Sequence, residues 1–563
     1  MRLKYLLVHV IIFLFVALHL SAQTISVKSS DSKIAKYETF KAELKLDGIT
    51  YQNPYDPDQV DVQAIFKSPS GKIWKIFGYY DNYRDADKWL LKFCPNESGE
   101  WRYSLSVKDV NGTTKSESFL FTVENSGLKG WIKVSDDNPH YFEHDDGSTF
   151  FGIGMYYPWH INRNGLDILE EHGANFFGYW NITWDSGTLE SMEYGLGKYD
   201  QRSAARIDEI LEWAEERNMK MLFAIWPHDL LAGPLLNGTG WNTIWDQNPY
   251  NKITTAIDFY TSSEAWKYQE KLYRYIIARF GSRRSMGIWE IVNEINGTDG
   301  GDNTPEALAW VEKVHNYLKQ NDPYNRPTTA NQSGGRYWTE GYRKVDIPTI
   351  HVYENQFRVE PIPGQPIRSS YTLYHDISKY FRKNFQKPAF MGEAGFTAPE
   401  NVFGDFNSES AEYDTLYHNA LWACWAGGNA ATPLWWEFGN RQIVTPLRLK
   451  QLKIFVELAG KIDYAHIPFR LAAISAENSD TYGLSTDDQA MGWIIDSRGG
   501  ILKSGKLEVE GLTGSEYEVT FYNPWDGVKI GTESGIITNN QLNTEIPKGI
   551  QTPDIVFFAK KVK

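Results

Sequence analysis

Between residues 150 and 435, eight short apolar runs alternate with stretches of helical periodicity, and this alternation limits the fold more than any other property of the 563-residue chain. The runs are Phe150 to Met155, Phe176 to Trp180, Met221 to Trp226, Gly287 to Val292, Pro327 to Asn331, Ile347 to His351, Ala389 to Gly392 and Thr432 to Trp435. Stretches such as 207–217 between them repeat apolar residues at helical spacing. Strand–helix alternation implies a parallel sheet, since parallel neighbours need a crossover connection. Five or six strands would suit an open sheet; eight in about 290 residues match a closed (β/α)8 barrel.

The flanks read differently. From about Ile25 to Val123, and again from about Pro468, short alternating β-type runs are separated by turn residues, the pattern of an antiparallel sandwich. The expected organisation is an export signal over 1–22, a β-sandwich over 23–127, a (β/α)8 barrel over 128–464 and a second β-sandwich over 465–563. The signal reading rests on Arg2 and Lys4 before the apolar run Leu6 to Leu20, followed by small Ser21 and Ala22. That run is short for a membrane span, and no Cys follows it to carry a lipid. A secreted or periplasmic address is expected, with no membrane span after processing.

Composition narrows the partners. A net charge of −14 argues against a nucleic-acid ligand, which needs clustered cations. Cys94 and Cys424, the only cysteines, sit far apart in apolar settings and read as buried thiols. No Cys/His cluster suggests a metal, and no cofactor is expected. The 21 Trp exceed what a core needs; indole is also a flat apolar platform with one hydrogen-bond donor, suited to sugar rings.

Polar side chains at the C-terminal ends of barrel strands are where barrel enzymes hold reactive groups. Those ends carry Tyr156, Trp180, Trp226 with His228, Asn293 with Glu294, Asn331 with Gln332, His351 with Tyr353, Glu393, and Trp435 with Trp436. Glu294 ends the fourth run and Glu393 the seventh, nearly opposite across the mouth. Two carboxyls facing each other over a cleft are the minimum equipment for glycoside hydrolysis. Small Gly392, Ala394 and Gly395 are read as leaving room for a sugar. Arg283, Arg284, Arg336 and Arg358, taken as loop cations, are candidates for meeting uronate or sulfate groups, although such charges are more often merely solvated.

On these residues the chain resembles clan A of the retaining glycoside hydrolases, the (β/α)8 superfamily that includes family 5. The resemblance covers roughly residues 130 to 460 and implies Glu294 as acid/base, Asn293 as ligand of the sugar 2-hydroxyl and Glu393 as nucleophile. It implies that His351 or Tyr353 hydrogen-bonds the nucleophile, and that a Trp of the eighth strand floors the cleavage subsite, Trp435 fitting better and Trp436 next. His228, after Trp226-Pro227, resembles the third-strand His of several members. The run 175–180 lacks the Arg that family 5 members usually carry near the end of strand two, so the resemblance is drawn to the clan rather than to family 5 proper. The flanks resemble an immunoglobulin-like lead-in module and a small C-terminal sandwich of the type labelled collagen-binding.

The expected chemistry is double displacement, with Glu393 ionised and Glu294 protonated, acting endo on a polysaccharide or oligosaccharide. The alternatives are an exo-glycosidase and a non-catalytic glycan-binding protein on a barrel scaffold. A monomer is expected.

Overall fold

The computed structural model describes residues 24–562, apart from 30–31, 48–49, 86, 186, 303, 335–336, 354–369, 396–410 and 437–443. The export signal, Arg336 and Arg358 lie outside the described residues.

Eight parallel strands close into a barrel: β1 (Gly154–Tyr156), β2 (Phe176–Trp180), β3 (Lys220–Pro227), β4 (Met286–Asn293), β5 (Thr328–Ala330), β6 (Ile347–Tyr353), β7 (Phe390–Gly395) and β8 (Trp435–Trp436). Closure is made by β8 pairing with β1, Met155 against Trp435 and Tyr156 against Trp436. β3, β4, β6 and β7 are buried along their whole length, which is why they read as continuous apolar runs rather than as alternations. The helices outside them begin where the chain supplies a cap: Asp200, Ser262, Thr304 and Thr445 each accept a hydrogen bond from a first-turn N–H, contributing about 1 kcal/mol apiece. Among the described residues no helix is long and apolar enough to cross a membrane.

Strand limits depart from the sequence expectation at both ends of the barrel seam. Phe150 belongs not to β1 but to a three-stranded antiparallel sheet, Ile132–Val134, Phe142–His144 and Thr149–Phe150. This sheet lies against the N-terminal ends of the barrel strands, where Phe150 meets Phe176 edge-on at 6.2 Å. The eighth strand is two residues long, beginning at Trp435 rather than Thr432.

Before the barrel, two sheets enclose an aromatic core. One runs Thr24–Ser29, Phe40–Asp47, Lys88–Phe93, Tyr79–Asp81; the other is built on Gly99–Asp109 and Val60–Lys67. Alternate residues of Val60–Lys67 point inward, and Phe66 stacks on Phe93 at 4.3 Å while Phe40 stacks on Phe121 at 4.4 Å. The module is tied to the barrel through Lys92, which is buried and bonds Asp208 at 2.6 Å, and through the Cys94 N–H, which donates to Tyr324 Oη at 2.8 Å.

After the barrel, one nine-stranded antiparallel sheet folds back on itself, so that Ile474 near one edge packs against Gly483 and Gly492 towards the other. The Asn523–Gly527 turn serves the interface with the barrel. Trp525 stacks on His418 at 3.7 Å, and Asp554, fully buried, takes hydrogen bonds from Trp493, Trp525 and His418 at 2.6 to 2.7 Å. Cys94 and Cys424 are buried free thiols.

Candidate active site

Strand β4 ends in Asn293, and the next residue leaves the strand abruptly. Glu294 has φ 52° and ψ 62°, the left-handed conformation that costs a non-glycine residue on the order of 1 kcal/mol. Two hydrogen bonds hold it there: its N–H donates 2.7 Å to Asn331 Oδ1 beside β5, and its carbonyl accepts from Gly297 N at 2.7 Å. The reversal aims the Glu294 carboxylate over the barrel mouth, where Oε1 lies 2.8 Å from His351 Nδ1 and Oε2 lies 3.7 Å from His228 Nδ1.

Glu393 enters from β7. A register shift between β6 and β7 sets His351 opposite Glu393. Asn293 Nδ2 donates to Glu393 Oε1 at 2.8 Å and Tyr353 Oη to Oε2 at 2.7 Å, with His351 Nδ1 3.3 Å from the same Oε2. One donor atom from each of Glu294, His351 and Glu393 lies within 4.8 Å of the other two. The nearest carboxylate oxygens of Glu294 and Glu393 thus lie within 4.8 Å of each other across the mouth.

Gly392 does something other than admit a sugar: a Cβ there would come within 3.1 Å of His351 Nε2. The missing side chain makes room for the imidazole. Around Glu393, Tyr353 and Asn293 supply hydrogen bonds and His351 a positive charge, in place of the absent strand-two Arg.

A third carboxylate lies beneath this pair. Glu290, fully buried on β4, accepts from Asn331 Nδ2 and, at 3.3 Å, from Asn293 Nδ2, so it orients both amides. Tyr156 Oη stands 3.5 Å from Glu290 Oε2 and accepts 2.8 Å from Trp180 Nε1. Glu290 was legible as the single acid inside an apolar strand, but the run's overall character concealed it.

The aromatic positions divide. Trp436, partly buried, stacks on Tyr156 at 5.0 Å and meets Trp159 and Trp180 at 5.3 Å each, forming one wall of the mouth. Trp435 faces the other way, fully buried against Tyr413 and Tyr417 of the helix behind. Trp226 also points outward, donating to Tyr273 Oη at 3.0 Å and packing on Tyr250 and Phe259. The expectation that these two bind substrate is corrected: both belong to the packing between barrel and outer layer. His228 is at the mouth, 3.2 Å from Asn293 Oδ1 and edge-on to Trp180 and Trp241. Trp241, from the long segment after β3, carried no periodic signal by which to find it. Arg283 and Arg284 precede β4 at the opposite end of the barrel, with Arg283 bonded to Glu215 at 3.0 Å, so neither lines the mouth.

Burial disfavours every charge here, and the partners decide the outcome. His351 is pushed up to about 9, because Glu393 and Glu294 overcome its burial. Glu294 is held below the usual carboxylate range: burial opposes its charge, but the hydrogen bond and charge of His351 prevail. Glu393 is pushed up to about 7 by burial, and by the Glu294 charge, against the pull of His351, Tyr353 and Asn293. In the free site these influences favour the carboxyl proton on Glu393 over Glu294, whereas the sequence expectation has Glu294 protonated. The reason is geometric: the imidazolium leans 0.5 Å closer to Glu294, and like charges this near do not both ionise readily. The same three donors could bridge a cation only after Nδ1 lost its proton, since a metal ligand must be deprotonated.

Residues 143–442 match the family model described as Cellulase (glycosyl hydrolase family 5), and residues 33–108 match a domain of unknown function, DUF5060. Two curated proteins of Aspergillus terreus are similar. One, provisionally named mannan endo-1,4-beta-mannosidase C, is 23% identical over 220 residues, 34% of this chain and 53% of its own length. The other, provisionally named mannan endo-1,4-beta-mannosidase A-2, is 22% identical over 309 residues, 52% of this chain and 70% of its own length. The chain thus spans about half of the first relative. A crystal structure from Bacteroides vulgatus ATCC 8482, provisionally classed as a glycoside hydrolase, aligns with a TM-score of 0.66 at 16% identity over 94% of this chain and 100% of that one. A likeness at that identity speaks for the fold.

Proposed function

The chain belongs to glycosyl hydrolase family 5, and on that premise we propose that it is a retaining, endo-acting hydrolase of a β-linked polysaccharide, with a β-1,4-mannan as the first substrate to test. Membership extends to the family itself, not only to the clan, despite the missing strand-two Arg. The observation that carries the reading is the pair Glu294 and Glu393, at the ends of opposite strands with carboxylate oxygens within 4.8 Å. The mannan preference rests on the names of the two Aspergillus relatives.

Turnover needs the proton on Glu294. His351 Nδ1 reaches both carboxylates, so the imidazolium can pass its proton to Glu294 while taking one from Glu393; charge is conserved and His351 ends as it began. Glu393, now ionised and held by Asn293 and Tyr353, attacks the anomeric carbon as Glu294 protonates the departing oxygen. A glycosyl ester on Glu393 results, and the leaving chain departs as an alcohol. Glu294 then deprotonates a water that displaces Glu393, regaining its proton and releasing the sugar with retained configuration. The indoles of Trp436 and Trp159 offer platforms for neighbouring rings.

The test is hydrolysis of mannan, other β-glycans and algal polysaccharides, followed by reducing-end release, with the first-formed anomer read by NMR. Oligosaccharides with retained configuration are expected. An inverted first product would overturn the mechanism, and binding without cleavage across the panel would favour the glycan-binding reading. Monosaccharides as sole product would replace endo with exo action. Export is part of the same proposal and rests on the charged and apolar pattern of residues 1–22. A secreted form beginning near Gln23 is expected from protein sequencing of the culture fluid or periplasm, and an unprocessed intracellular chain would refute it.

A further inference from the structure

At the end of the barrel opposite the catalytic mouth lies a second cavity, of about 670 Å³, within the usual size of small-ligand sites. Its walls come from every part of the chain. Residues 127–130 lead out of the N-terminal module, 144–151 belong to the three-stranded sheet, Asn175, Lys220 and Arg284 stand at the starts of β2, β3 and β4, and 460–466 follow the last barrel helix.

The charge of this lining runs against that of the protein. In a chain of net charge −14, the lining carries four cations, Lys129, Lys220, Arg284 and Lys461, and one carboxylate, Asp463, with Arg284 also reaching Glu215 behind it at 4.0 Å. Asp463 is already engaged, accepting from the Thr149 hydroxyl and from His466 Nδ1 at 2.7 Å. Lys220 is only 3% exposed, yet its ammonium bonds two neutral carbonyls, Gly130 O and Arg284 O, each at 2.8 Å. Among the described residues no carboxylate forms an ion pair with it. Burial, and then Arg284, bring this ammonium down to about 7, against a weaker opposing pull from Glu215. His144, on the same wall, is held down to about 3 by burial and by the charges of Lys220, Lys129 and Arg284.

A buried, hydrogen-bonded cation is costly to leave unpaired. We infer that this cavity binds an oxyanion, a phosphate, sulfate or carboxylate group, held by Lys129, Lys220, Arg284 and Lys461. Such an anion would bridge the N-terminal module, the barrel floor and the connection to the C-terminal sheet. Its source is either a free inorganic ion or the acidic group of a sugar, and the cavity volume admits both.

The full chain is titrated calorimetrically with inorganic phosphate, sulfate and glucuronate at constant ionic strength in chloride. Lys129→Gln/Lys461→Gln is the test variant, because both side chains are exposed and their loss leaves the fold intact. Lys503→Gln/Lys529→Gln, with the same charge change in the C-terminal region, is the control. Saturable one-to-one binding that weakens at least tenfold in the test variant and stays unchanged in the control is expected, with a rise in Tm on saturation. Phosphate or sulfate binding alone identifies a free anion; tighter glucuronate binding identifies an acidic sugar. No saturable binding of any of the three, or equal loss in both variants, overturns the site. Polysaccharide hydrolysis by the test variant is expected at the wild-type rate, so failure of this site is distinguishable from failure of the catalytic assignment.

Discussion

Asn293 donates its side-chain amide to Glu393 over 2.8 Å, and the same nitrogen lies 3.3 Å from Glu290, three residues earlier on β4. One amide therefore couples the proposed nucleophile to a carboxylate that never reaches the mouth. Nucleophile, acid and amide thus form one hydrogen-bonded unit, whose members are expected to respond jointly when one is changed.

Removal of either proposed catalytic carboxylate is expected to separate their roles. Glu393→Ala is expected to abolish turnover, with azide restoring it as a glycosyl azide of inverted configuration. Glu294→Ala is expected to lose about 10²–10⁴-fold on polysaccharide but far less on an aryl glycoside whose leaving group needs no proton. Product configuration by NMR checks both, and azide rescue with the same stereochemistry in each variant would refute the assignment.

Tyr353→Phe removes the 2.7 Å hydrogen bond that favours ionised Glu393. A hydrogen bond to a charged group is worth about 1.5–3 kcal/mol, so kcat/KM is expected to fall about 10- to 100-fold. The loss raises the Glu393 pKa, and because the proton held there is the one the relay hands to Glu294, the descending limb of the pH–rate profile is expected to move to higher pH. An unshifted limb would show that Tyr353 does not act through Glu393.

Stability of the free protein carries the signature of the site. Glu393 is raised from 4.5 to about 7 and His351 from 6.5 to about 9. A group whose folded pKa is raised stabilises fully below its unfolded pKa, and that contribution is lost as pH rises through the folded value. Stability is therefore expected to fall between pH 4.5 and 7 through Glu393, and between pH 6.5 and 9 through His351. Glu294, held low, acts only on the acid side. Urea unfolding at pH 5, 7 and 9 checks this: Glu393→Gln should flatten the first interval and His351→Gln the second. Slopes equal to wild type would contradict the proton distribution.

The two tryptophans of β8 should fail in different ways. Trp435→Ala empties a fully buried site against Tyr413 and Tyr417 and is expected to cost about 3–5 kcal/mol of stability. Trp436→Ala is expected to leave the unfolding midpoint nearly unchanged while raising KM, because its ring faces the mouth. Thermal melts beside steady-state kinetics distinguish them, and the opposite pattern would reverse the orientation.

The amino-acid sequence by itself determined the barrel and the placing of Glu294 and Glu393 at its strand ends, because eight apolar runs at crossover spacing leave little else for a parallel sheet to do. Only the tertiary structure decided which way each side chain faces. Adjacent strand residues point to opposite sides, so Trp435-Trp436 in the sequence says that one indole faces the mouth but not which. The shift in register between β6 and β7 sets His351 against Glu393, which strand alternation alone does not foretell. The mutual electrostatics of the pair were likewise invisible in one dimension, since they depend on burial and on a single imidazole placed between two carboxylates brought together from 99 positions apart.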